Sequence, residues 1–174
     1  MLGNYGKLRE PRIGVMLHYD GSTSDAGAIA WLLRDERCKV SYTDIVTDDG
    51  KITHVAPRNA RAWHAGACKP SHPRFKYRDA NSAFYGLSVA CGGLDIATKP
   101  QILGVVTTIL EYFAIEGWSL NDIWRITDHE AEAWPRRRKV DIWGDKEKRS
   151  KAGLIVPVLD IDTVREDVRQ ALGG

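Results

Sequence analysis

His18 closes the apolar run Val15-Met16-Leu17, His129 follows a second run ending at Ile126-Thr127, and Asp141 lies twelve residues further on, two after Lys139. Two imidazoles and a carboxylate supply three of the four ligands that zinc prefers, and the fourth position is left for a reactive water. A site of this kind hydrolyses its substrate. A cation two residues from a ligand is well placed to stabilise negative charge as it grows on a carbonyl oxygen, which is the role expected of Lys139. Taken singly, each residue has a plainer reading. A histidine at a strand end is more often a hydrogen-bonded structural residue, and Asp141 could pair with Arg136, Arg137 or Arg138. The set, with Lys139 inside it, points to a metal.

These residues need elements to carry them. Arg12 to Tyr19 (RIGVMLHY) reads as a buried strand that ends at His18, followed by a helix near Asp25 to Glu36 with Ala28, Ile29, Leu32 and Leu33 on one face. Lys39 to Val46 and Lys51 to Ala56 are β-type runs joined across Asp49-Gly50, a hairpin signal. From Pro57 to Ala83 the composition turns to Pro, Gly, Asn, Arg and His, and most of this stretch is expected to be a long ordered loop framing a cleft. Phe84 to Cys91 is the next strand. A helix opens with Thr98 as cap and Pro100 in its first turn and stops at Gly117. Trp124 to Thr127 reads as a strand that delivers His129 to a loop running to about Ser150. Leu154 to Leu159 is expected to be extended, and a helix follows from about Ile161 with Asp160 as its cap.

The stretch WRITDHEAEAWPRRRKVDIWG, Trp124 to Gly144, resembles the closing signature of the zinc-dependent N-acetylmuramoyl-L-alanine amidases, the family of the phage lysozyme-type amidases and the peptidoglycan recognition proteins. Its landmarks are His129, Pro135, Lys139 and Asp141. Other pieces agree in order: the early strand ending at His18, Tyr42 before the Asp49-Gly50 turn, Ala62-Trp63-His64-Ala65-Gly66, and Tyr85-Gly86-Leu87-Ser88-Val89. The similarity covers roughly residues 12 to 144.

The resemblance implies a zinc ion held by His18, His129 and Asp141, with Lys139 and Tyr42 as catalytic residues. It also implies hydrolysis of the amide between the lactyl group of N-acetylmuramic acid and L-alanine. Where the family places a glutamate on the central strand this chain has Ser88, which cannot act as a base. Other members hold that place with a tyrosine on the hairpin, so the resemblance points to Tyr42, cast as a hydrogen-bond donor because a tyrosine of ordinary pKa near 10 is a poor base. Tyr42 could also be a plain strand residue with a wet hydroxyl. Trp63 and His64 are expected to line the substrate cleft, with His64 the reserve proton relay. Cys68 and His72 continue an even spacing from His64, but Gly66, Pro70 and Pro73 forbid the helix that would align all three, so no second metal site is read there.

The 174 residues suit one domain, with 43% apolar residues and six Trp to fill its core. The expected fold is a single α/β domain over residues 1–174, a mixed central β-sheet flanked by helices with the zinc cleft at one edge of the sheet and the C-terminal strand and helix packed on it. A net charge of +2 makes no case for nucleic acid, and no apolar stretch suits a membrane span. The partner expected is peptidoglycan or a muropeptide, bound by a monomer. The three cysteines are odd in number and form no disulfide framework. The first residues lack a secretory h-region, so synthesis in the cytoplasm is expected, with action on the cell wall after release if the chain is an endolysin. The alternatives are a cytoplasmic muropeptide-recycling amidase and a non-catalytic peptidoglycan-binding module.

Overall fold

A computed structural model describes residues 4–22, 38–92, 95–135, 153 and 157–174. The expected helix near Asp25 to Glu36, residues 154–156 of the expected C-terminal strand, and both Lys139 and Asp141 lie outside the described residues. Seven strands are described: β1 (Tyr5–Lys7), β2 (Gly14–Tyr19), β3 (Asp44–Val46), β4 (Ile52–His54), β5 (Ala60–Ala62), β6 (Phe84–Val89) and β7 (Ile126–Asp128). Five form the central sheet in the order β4-β3-β6-β2-β7. β3, β6, β2 and β7 run parallel to their neighbours and β4 is antiparallel to β3, so the sheet is mixed, as expected.

Parallel strands are covered on both faces, which explains why β2 and β6 are apolar almost without interruption. Val15, Leu17, Tyr85, Leu87, Val89, Val46 and Ile126 point into the larger core. Two long helices close that side. One is α2 (Lys99–Glu116), which follows β6, itself preceded by the short α1 (Ala80–Ala83); the other is α4 (Ile161–Ala171), which comes after the short α3 (His129–Glu132).

The ends of α2 are set by local chemistry. Thr98 accepts from the Gln101 N–H while the Gln101 side chain returns to the Thr98 N–H, and Gly117 stops the helix at φ 67°. Asp160 caps α4, and Val164 and Val168 are its buried positions.

On the opposite face Met16 and Phe84 pack with Ala65, Phe75, Ala80 and Ala83, so short helices and a loop cover the sheet here. This is where the structure departs from the sequence analysis. The stretch 57–83 is not one long loop: β5 pairs antiparallel with β1, in a polar N-terminal segment that shows no strand pattern, and α1 precedes β6. Arg61 binds the Asp79 carboxylate through two nitrogens, at 2.5 and 2.9 Å, and ties the two-stranded sheet to α1. The strand expected over Trp124 to Thr127 begins two residues later, because Leu120–Arg125 is a 3-10 helix. His129 opens α3 and does not sit in a loop.

Candidate active site

The two histidines meet because of strand register. In the β2–β7 pairing Val15 faces Ile126, Met16 faces Thr127 and Leu17 faces Asp128, so the next positions on the two chains are His18 and His129. Their ring centroids are 4.8 Å apart, the spacing of adjacent strands. On its other side His18 pairs with Ser88, which confirms that the small hydroxyl stands beside the histidine on the central strand. Both imidazoles thus lie at the carboxyl ends of neighbouring parallel strands, the usual place for a site in an α/β sheet.

His64 and Tyr42 complete the cluster. The Tyr42 ring lies 5.2 Å and the His64 ring 5.0 Å from that of His18. All four are buried, with exposures of 1% for His18, 2% for His129, 6% for His64 and 7% for Tyr42. Tyr42 packs among Cys38, Ile45, Val55 and Ala90.

His64 lies deeper than the cleft wall on which the sequence analysis places it. Its Nδ1 is 3.0 Å from His18 Nε2, and its Nε2 is 3.2 Å from the Phe84 carbonyl. Burial first, and then the neighbouring His18, His129 and Arg12, hold its pKa well below the ordinary histidine value, so the ring is neutral. Gly86 makes room for it: a Cβ at position 86 would come within 2.6 Å of the His64 ring. Trp63 packs against the small sheet. Its ring lies 3.8 Å from the Arg61 guanidinium and near Gly6, on the small sheet.

Two residues that the sequence analysis does not single out hold the site in place. The Asn81 Oδ1 accepts from the backbone N–H groups of both His64 and Ala65, at 2.8 Å each. Glu132, fully buried in α3, accepts from the Ser71 N–H and hydroxyl, from the Tyr77 hydroxyl at 2.6 Å and from Thr127 Oγ1 at 3.2 Å. It binds the 71–77 segment to the helix that begins at His129. Burial, followed by the Glu132 carboxylate, pushes the Tyr77 pKa far up, so the hydroxyl remains a donor. In the sequence Glu132 reads as part of a solvated HEAE run, with no periodicity to mark it as buried.

Among the described residues no three His, Cys, Asp or Glu side chains form a complete metal-holding group. The pair His18 and His129 fits two positions of a zinc site by donor type and spacing, and a complete site would need a third donor beside them. No helix among the described residues is long and apolar enough to cross a membrane. No disulfide joins Cys38, Cys68 and Cys91.

A mixed sheet flanked by helices, with two buried imidazoles side by side at its strand ends, makes this an α/β domain with its candidate site at the carboxyl edge of the central sheet. The family model described as N-acetylmuramoyl-L-alanine amidase matches residues 9–147, and the chain belongs to that family of hydrolases. It is an amidase acting on peptidoglycan. Solved structures agree on the fold. A selenomethionine AmpD derivative is 16% identical with a TM-score of 0.62, over 85% of this chain and 89% of its own. The endolysin amidase LysCS from Clostridium intestinale URNW is 12% identical with a TM-score of 0.59, over 90% and 83%. AmiD from E. coli, in complex with anhydro-N-acetylmuramic acid-L-Ala-D-gamma-Glu-L-Lys, is 17% identical with a TM-score of 0.60, over 83% and 58%. No curated protein matches the chain.

Proposed function

We propose that this protein is a zinc-dependent amidase that cleaves the bond between the lactyl carbonyl of N-acetylmuramic acid and the amine of L-alanine, and that it works as a phage or prophage endolysin. The observation that carries the reading is the register of β2 and β7, which sets His18 and His129 side by side inside the region matched by the family. In this reading His18, His129 and Asp141 hold the ion. Zinc there would polarise the scissile carbonyl and bring the pKa of a water to about 7.

The chain's own groups do the rest. Lys139 stabilises the charge that develops on the carbonyl oxygen. Tyr42, with its ring beside His18, donates a hydrogen bond that orients the attacking water or that oxygen. The water oxygen joins the carbonyl carbon, the C–N bond breaks, and the amine of L-alanine leaves with a proton. Trp63 remains proposed as a residue that lines the substrate cleft.

The test is metal analysis of purified protein, joined to mass spectrometry of digested cell wall with and without chelator. Release of peptides with a free L-alanine amine, lost on chelation and restored by zinc, is the expected result. Wall binding with no cleavage at any zinc level would refute the enzyme reading and favour a binding module. A second reading, turnover of soluble muropeptides, is favoured by the soluble fragment in the AmiD complex. Parallel assays on intact wall and on soluble fragments decide between them.

A further inference from the structure

An imidazole can offer a metal only the nitrogen that carries no proton, so a ligand histidine works when something fixes its tautomer. We infer that His64 is a positioning residue that fixes His18 as the Nε2–H tautomer and so presents its Nδ1 lone pair. The inference rests on the reading of His18 and His129 as metal ligands.

The Phe84 carbonyl oxygen can only accept, and His64 Nε2 stands 3.2 Å from it, so that nitrogen carries the proton. The other nitrogen of the neutral ring, Nδ1, must then accept. Its neighbour at 3.0 Å is His18 Nε2, which is therefore the donor, and the lone pair of His18 falls on Nδ1. His129 obeys the same logic directly: its Nε2 lies 2.6 Å from the Ala65 carbonyl and donates to it, which puts its lone pair on Nδ1 as well.

Two consecutive residues thus set both tautomers, His64 through its ring and Ala65 through its carbonyl. Their backbone N–H groups are gripped by one atom, Asn81 Oδ1. The far end of the relay is anchored too, since the Phe84 carbonyl also accepts from the buried Arg12 Nη1 at 2.5 Å. His64 has each ring nitrogen engaged within this chain of bonds. It serves as an orienting partner of a ligand, as carbonyls and carboxylates do behind the histidines of metal sites.

The experiment reads the tautomer and the metal affinity separately. In zinc-free, 15N-labelled protein, long-range proton–nitrogen correlation of the imidazoles should show His18 protonated at Nε2. Removing the acceptor with His64→Leu should release His18 into a mixture of tautomers and weaken zinc binding by about 10–100-fold in chelator competition. His64→Asn, whose amide oxygen lies near the place of Nδ1, should restore both readouts to within a few-fold. His18 protonated at Nδ1 in the parent protein would overturn the inference, as would an unchanged tautomer and affinity in His64→Leu. If His64→Leu does not fold, the parent spectrum and the His64→Asn variant decide. Absence of any zinc binding by the parent protein would sink the metal reading, while the His18 tautomer would still be read.

Discussion

Gly86→Ala tests whether the sheet itself holds the histidine cluster. An added Cβ would sit 2.6 Å from the Cδ2 and Cγ of His64 and 3.0 Å from its Cβ. Carbon contacts are comfortable at about 3.5–4.0 Å, so three atoms would be roughly 0.5–1.4 Å too close. The strand has little freedom to retreat, because Gly86 is bonded to Thr43 through both its carbonyl at 2.8 Å and its N–H at 3.2 Å, and β6 lies between two parallel neighbours. The ring must move, against its own bond to the Phe84 carbonyl and the bond that the His64 backbone N–H donates to Asn81. Overpacking of this kind costs about 1–3 kcal/mol. For a domain of this size about 2 kcal/mol corresponds to a fall of about 4–8 °C in Tm. Displacement of His64 should also weaken zinc binding by about tenfold, since it orients a ligand. Thermal unfolding followed by circular dichroism gives the first quantity and chelator competition the second. A Tm within a degree of the parent, with unchanged zinc affinity, would show that His64 is neither tightly held nor coupled to His18, and would refute the reasoning.

Three further outcomes are expected. Lys139→Ala should keep zinc by metal analysis and lose about a hundredfold or more in turnover, whereas near-parental activity would remove Lys139 from the mechanism. Tyr42→Phe should lower kcat more than it raises KM, and an unchanged kcat would move the hydrogen bond to solvent. Asp79 is also informative at low pH. Burial alone would raise its pKa, but the hydrogen bonds from Arg61 and Ser82 and the charge of Arg61 outweigh it and bring the pKa below the ordinary 3.8. A depressed folded pKa gives stability that is present above 3.8 and lost as pH falls below it. Asp79→Asn should therefore be less stable than the parent at pH 7, with the gap closing toward pH 2–3 in urea titrations; a constant gap would show that the ion pair is not its source.

Much of the architecture is written in local patterns. The Thr98, Pro100 and Gly117 signals bound α2 correctly, Asp160 caps α4, and the Asp49-Gly50 turn joins an antiparallel pair, because caps and turns are decided by a few neighbouring residues. Motif order, too, is enough to place the chain in its family. What local pattern misses is pairing at a distance. β1 and β5 are three residues each, half-polar and more than fifty positions apart, so neither has a period to detect. The 3-10 helix at Leu120–Arg125 takes in Trp124 and Arg125, which the sequence pattern assigns to the strand that follows. The same limit holds at the site. His18, His64 and His129 are identifiable as types, but that His18 faces His129 follows from the register of two strands over a hundred residues apart. That His64 stands behind His18, and not on the cleft wall, follows from the missing side chain of Gly86 and the grip of Asn81. The sequence determines which residues are present to do the chemistry and which elements form; only the sheet order and the packing beneath it decide which nitrogen faces which neighbour, since those are relations between chain segments that no local spacing encodes.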